Sequence, residues 1–232
     1  MGIQEEPALQ PRPSVIVFDV NETLSDMAPL AARFADVGAP ELLARVWFTS
    51  LLRDGFALAA TGGKETFARL AGGALQAALA TAPLNRPADD AAKHVLSGFA
   101  DLGVHPDVPD GVRFLRQHGL RLVTLTNGST DVADRLLTIA GIRGEFEQLL
   151  SVDDADAWKP APAAYAHAAR RCSASLEQML LVAVHPWDIH GAHQAGMRTG
   201  WISRQEAPYP DYFAAPDLRA FDLGTLARQI VS

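Results

Sequence analysis

SVIVFDVNETL (residues 14–24) places a continuous apolar, β-branched run directly before an aspartate. Because SVIVFDV (14–20) is apolar without alternation, it reads as a strand covered on both faces, as in a parallel sheet sandwiched by helices. Asp19 ends that strand. A carboxylate carried into such an environment needs a partner or a task, since desolvating it unaccompanied costs several kcal/mol. A turn aspartate bonding its own backbone is the plain alternative, and the other segments of the chain decide between them.

Outward from this run, LRLVTLTNGS (120–129) is a second buried strand that opens into a helix running to about Ala140. FEQLLSVDDADAWKP (146–160) holds a short strand, a polar loop and Lys159-Pro160, and AAYAHAARR (163–171) is a helix. MLLVAV (179–184) is a further strand, IHGAHQAGM (189–197) a helix ending near Gly196, and GWISR (200–204) supplies another strand. VHPDVPDGVRFLRQHG (104–119) is a loop and an amphipathic helix that stops at Gly119. Strand and helix alternating from 105 onward predict an α/β fold, a doubly wound parallel sheet that binds ligands beyond the C-terminal ends of its strands. Asp19, Thr126, Lys159 and the His185-Pro186-Trp187-Asp188 run all fall at or just after such ends. Four segments thus bring polar groups to one sheet edge.

Between Ala28 and Val104 the composition turns to alanine and leucine with helical spacing at Leu42, Val46, Leu51, Leu52 and Phe56. Residues 28–104 are therefore expected to be a helical cap inserted into a core made of 14–27 and 105–232, with 1–13 a flexible lead-in. The formal charge of −7 offers no basic field for nucleic acid or an anionic membrane. No apolar run is long enough to span a bilayer, and the start has no basic segment of a secretory signal. Cys172 is the single cysteine of the chain, which points to the cytoplasm.

Taken in order, VFDVNETL, LTNGS, WKPAPAAY and LVAVHPWDIHGAHQAGM resemble the four motifs of the haloacid dehalogenase superfamily, and 28–104 stands where that family has its cap. The phrasing is closest to the type II, L-2-haloacid dehalogenases. The resemblance implies a Rossmann-like core in which Asp19 is a covalent nucleophile displacing halide from C2 of a small anionic 2-haloalkanoic acid. It further implies that Thr126 and Asn127 hold the substrate beside Val20, Asn21, Phe48 and Trp187, that Lys159 balances Asp19, and that Asp188 supports ester hydrolysis. No cofactor is expected, and a homodimer is implied by resemblance only.

Three positions depart from the family. Asn21 stands where its phosphatases carry an acid/base aspartate and its dehalogenases an aromatic residue, and an amide exchanges no proton at neutral pH. Val184 replaces the first aspartate of the Mg²⁺-binding motif, removing one hard oxygen ligand. Phe48 aligns with the cap arginine that receives halide, while Arg45 and Arg53 are expected on other helix faces. Asp19, Asp188 and Lys159 sum to −1 with His185 neutral, which suits a monoanionic carboxylate better than a phosphate unless Mg²⁺ is added. Two readings of His185 stay open: a general base for ester hydrolysis, or a hydrogen-bond donor in place of the family's asparagine. A Mg²⁺-dependent small-molecule phosphatase and a catalytically inactive relative are the alternative functions.

Overall fold

The computed structural model describes residues 12–204 and 207–232, so all but the last two residues of the expected lead-in lie outside it. Strand β1 (Val15–Phe18) is central. It pairs in parallel with β2 (Arg121–Thr126) on one side and β4 (Met179–Ala183) on the other. With β3 (Gln148–Ser151), β5 (Arg198–Ile202) and β6 (Leu218–Ala220), the sheet has six parallel strands in the order β3-β2-β1-β4-β5-β6.

The unbroken apolar run of β1 follows from this position. Val15 and Val17 enter one hydrophobic core and Ile16 and Phe18 the other, and all four are fully buried. Each such side chain contributes roughly 1.5–3 kcal/mol of transfer free energy. The core beneath Ile16 and Phe18 is completed by α5 (Val108–Gln117), α6 (Thr130–Ile139) and α9 (Leu223–Val231). On the opposite face lie α7 (Pro162–Cys172) and α8 (Pro186–Gln194).

The chain runs outward from β1 to β3 and returns to start again at β4, so β1 and β4 flank the point where the winding reverses. Connections leave adjacent strands in opposite directions there and open a crevice. Asp19 follows β1 and His185 follows β4 on either side of it.

Residues 28–104 form four helices, α1 (Leu30–Asp36), α2 (Leu43–Ala60), α3 (Phe67–Leu79) and α4 (Ala88–Ala100). The chain leaves and re-enters the α/β layer at one narrow neck. Ser25 and Val104 form an antiparallel bridge, Asp26 N–H donates to Gly103 O (2.8 Å) and His105 N–H to Leu24 O (2.9 Å). Among the described residues no helix is long and apolar enough to cross a membrane.

The last predicted strand sits two residues earlier than expected, at 198–202, because Arg198 and Thr199 pair with Leu180 and Leu181. The helix after β4 begins at Pro186 rather than Ile189. Proline suits that first turn, lacking an N–H that would have no partner there.

Candidate active site

Four side chains, Asp19, Lys159, His185 and Asp188, converge at the crevice. Lys159 is completely buried and spans two carboxylates, with its Nζ 2.9 Å from Asp19 Oδ1 and 2.6 Å from Asp188 Oδ2. Asp19 Oδ2 accepts from the Thr23 hydroxyl (2.6 Å) and from His185 Nδ1 (3.0 Å). Thr23 is fixed in turn, because its Oγ1 accepts from Val184 N–H at 3.1 Å. The other ring nitrogen of His185 donates to Glu22 Oε2 at 2.8 Å.

These contacts separate the two aspartates. Burial would raise the pKa of Asp19, but Lys159 and then His185 outweigh it and hold the carboxyl well below the usual range. Asp188 is equally buried, faces the charge of Asp19 as well as Lys159, and burial carries its pKa above the ordinary value. Lys159 is pushed upward because the two acids outweigh its desolvation. Burial alone would lower the pKa of His185, yet Asp19 and Glu22 outweigh it and push it up to about 10. His185 is therefore an imidazolium at neutral pH, with no lone pair to offer water. This resting geometry favours the hydrogen-bond donor over the general base.

Asp188 was expected ahead of its helix and instead lies in the first turn of α8, where its Oδ1 accepts from the Tyr165 hydroxyl at 2.6 Å. Gly191 makes this approach possible, since a Cβ there would sit 2.6 Å from both Pro160 and the Tyr165 oxygen.

The residues expected to bind substrate divide. Asn127 turns its carboxamide to the main chain of Lys159, accepting from its N–H (3.0 Å) and donating to its O (3.3 Å). Its side-chain polar atoms thus hold the lysine loop. Thr126 Oγ1 accepts from Gly128 N–H at 2.9 Å, and Ser129 caps α6 by accepting from Val132 N–H. Val20 packs its side chain into the core of α5, α6 and α9, and its carbonyl accepts from Leu24 and Ser25. Asn21 is buried beside Gly128 and shares a small hollow with Val20, Phe99 and Leu136.

Phe48 and Trp187 line a much larger cavity of about 1230 Å³ between the inserted helices and the sheet edge. Trp187 stacks on His185 (centroids 5.0 Å, 27°) and meets Phe56 of α2 edge-on at 4.9 Å. Arg45, Phe48, Thr49, Leu52, Arg53 and Phe56 line it together. Their spacing of three and four residues makes them one helix face, which corrects the expectation that the arginines point elsewhere.

Glu22, Thr23 and Tyr165 were not among the expected site residues. All three stood within the matched motifs, but nothing in the motif phrasing singled them out. The donor set around Asp19 is cationic: Lys159 and His185 occupy both carboxylate oxygens, and Val184 offers no oxygen ligand from its side chain.

A family model for haloacid dehalogenase-like hydrolases matches residues 13–196. Haloacetate dehalogenase H-2 of Moraxella sp. (strain B) is 36% identical over 129 residues, which span 56% of this chain and 58% of that protein. An (S)-2-haloacid dehalogenase of Pseudomonas putida is 27% identical over 220 residues, 94% of this chain and 96% of the relative. The solved structure of an L-2-haloacid dehalogenase superimposes with a TM-score of 0.89 at 30% identity, covering 96% of this chain and all of the other (100%).

Proposed function

Because the chain belongs to the haloacid dehalogenase-like hydrolases, we propose that it hydrolyses small 2-haloalkanoic acids through an ester on Asp19, without a metal ion. The observation that carries this reading is the pairing of Asp19 with two cations, Lys159 at 2.9 Å and His185 at 3.0 Å, which keeps the carboxylate ionised and oriented.

Oδ1 carries one hydrogen bond where Oδ2 carries two, so Oδ1 is the attacking atom. It forms a C–O bond to C2 while halide departs with the electron pair of the C–X bond. Water then adds to the ester carbon, the bond between that carbon and Oδ1 breaks, and the 2-hydroxy acid leaves. Asp188, whose pKa burial has raised, is the proposed acceptor of a proton from that water. Lys159 holds it to the reacting carboxyl. Phe48 stands where the family's cap arginine aligns, but Arg45 and Arg53 share its face of the cavity and supply guanidinium groups for an anion.

The expected phosphatase alternative needs Mg²⁺ bound at this carboxylate. Magnesium is held by one or two carboxylates plus waters, and here the oxygens of Asp19 face Lys159, Thr23 and His185 while those of Asp188 face Lys159 and Tyr165. That donor set does not fit the ion, and no step is drawn through it. The neck at Ser25 and Val104 supports the proposed division into a core and a cap over 28–104. The buried thiol of Cys172 is consistent with a reducing, cytoplasmic setting.

Halide release from the enantiomers of 2-chloropropionate, with and without EDTA and beside a Mg²⁺-containing phosphate-ester panel, tests the reading. EDTA-resistant halide release with a mass gain on the Asp19 peptide is expected. Phosphate release that requires Mg²⁺, with no halide, would overturn it.

A further inference from the structure

Glu22 is the one acid of the VFDVNETL segment that Asp19 chemistry does not use, and its backbone is unusual. Its φ of 61° lies in the left-handed region that favours glycine. The main chain is pinned there from two sides, as Glu22 N–H donates to Ser25 Oγ (3.2 Å) and His105 Nε2 lies 3.0 Å from Glu22 O. From this position the side chain reaches His185 Nε2 at 2.8 Å and lines the large cavity.

His185 is thus clamped between two carboxylates, Glu22 on one nitrogen and Asp19 on the other. The remaining groups around it are the Trp187 ring, Lys159 on the opposite oxygen of Asp19 with its Nζ 5.9 Å from the Trp187 centroid, and Asp188 beyond the lysine. His105 touches the arrangement through the Glu22 carbonyl.

When Asp19 becomes an ester its negative charge disappears, and with it one of the two anions that keep His185 protonated. Glu22 is untouched by that step. As water adds to the ester carbon, the carbonyl electron pair moves onto Oδ2, the atom that already accepts from Thr23 and His185. The intermediate then collapses with cleavage of the bond to Oδ1, one water proton leaving with the hydroxy acid and the other passing through Asp188 to solvent.

We infer that Glu22 is a positioning residue for this second half of the reaction: it keeps His185 aimed as a donor at Asp19 Oδ2 after the charge of Asp19 has gone. With the Thr23 hydroxyl, His185 forms an oxyanion site whose donors are already in place before charge develops. The inference rests on the dehalogenase reading for its chemistry, while the Glu22–His185 pairing itself is measurable without turnover.

The test compares wild type, Glu22→Gln and Glu22→Gly by imidazole NMR titration of His185 and by rapid-quench single turnover with (S)-2-chloropropionate. Glycine accepts the left-handed backbone, so Glu22→Gly removes the carboxylate while leaving the turn its preferred residue. In both variants His185 is expected to titrate at least ~1 pH unit lower than in wild type. Ester hydrolysis is expected to slow ~10-fold more than the halide burst, so that the Asp19 ester accumulates. An unchanged titration, equal slowing of both steps, or wild-type hydrolysis in Glu22→Gly overturns the inference. Absence of halide from wild type would sink the dehalogenase reading instead, and the titration would still decide the pairing.

Discussion

Asp19 and Asp188 share one lysine, and what distinguishes them is the second cation that only Asp19 touches. Removing the lysine is expected to expose that dependence. Lys159→Met leaves two buried carboxylates facing each other, which costs roughly 3–5 kcal/mol of stability at neutral pH. Ester formation should fall by more than ~100-fold. Because the pKa of Asp188 is already raised, it is the one to take up a proton, so part of the lost stability should return on acidification. Urea unfolding at pH 5 and pH 8 checks this, and an equal loss at both would contradict it. His185 gives the opposite sign. An unfolded histidine titrates near 6.5 and the folded one at about 10, so its stabilisation is complete below pH 6.5 and is lost as pH rises toward 10. Between pH 7 and 10 wild type should therefore lose roughly 2–4 kcal/mol more than His185→Asn, less than the full shift implies because the Glu22 side chain is 42% exposed. Parallel unfolding curves for the two proteins would remove the imidazolium from the account.

At the level of elements, close approach positions the site, and glycine permits it in two places. Gly55 lets α2 pack against Trp158, where a Cβ would lie 2.5 Å from the indole, and Trp158 immediately precedes Lys159. Gly55→Ala should cost about 1–3 kcal/mol through overpacking and lower ester formation, because the strain falls on the residue beside Lys159. Thermal melts and halide-burst kinetics check it, and a stable variant with a normal burst would show that α2 yields without moving the lysine. The strands that carry the site were legible because β1, β2 and β4 are buried on both faces and polar residues stand at or within two positions of their C-terminal ends. The last strand and helix left no comparable mark. β6 is only Leu-Arg-Ala, with Arg219 exposed, and its place follows from Thr199 bonding Asp217 rather than from any run of its own. The meeting of Asp19, Lys159 and Asp188 at one sheet edge was legible from motif order. The use of Asn127 was not, because its partner Lys159 is 32 residues away and only the folded loop brings them together. The face shared by Arg45, Phe48 and Arg53 was misjudged, since an alignment names one position while a helix face wide enough to line a cavity takes residues at several spacings.

Across the whole molecule, net charge of −7 works against any anionic substrate, so access and retention must be local. The inserted helices meet the core at the neck at Ser25–Val104, at the Phe56–Trp187 ring pair over His185, at Gly55 against Trp158, and at Lys64. Lys64 is the most testable of these. It lies between α2 and α3 and donates to two main-chain oxygens, Asp153 O at 2.7 Å and Ala155 O at 2.6 Å, in the loop that leads to Trp158 and Lys159. The Trp158 indole returns the contact by donating to Glu65 O at 3.0 Å. A charged donor shared by two carbonyls resists separation, since each such hydrogen bond contributes about 1.5–3 kcal/mol when kept from water and less where it is exposed. Lys64→Met retains the apolar stem and deletes both bonds. Backbone amides of 153–159 should then exchange several-fold faster, KM for a haloacid should rise, and the loss of global stability should stay near 1 kcal/mol. If exchange in that loop is unchanged while KM rises, Lys64 acts on the substrate's charge and not on the packing of the inserted helices. If neither changes, the other contacts suffice to hold the inserted helices in place.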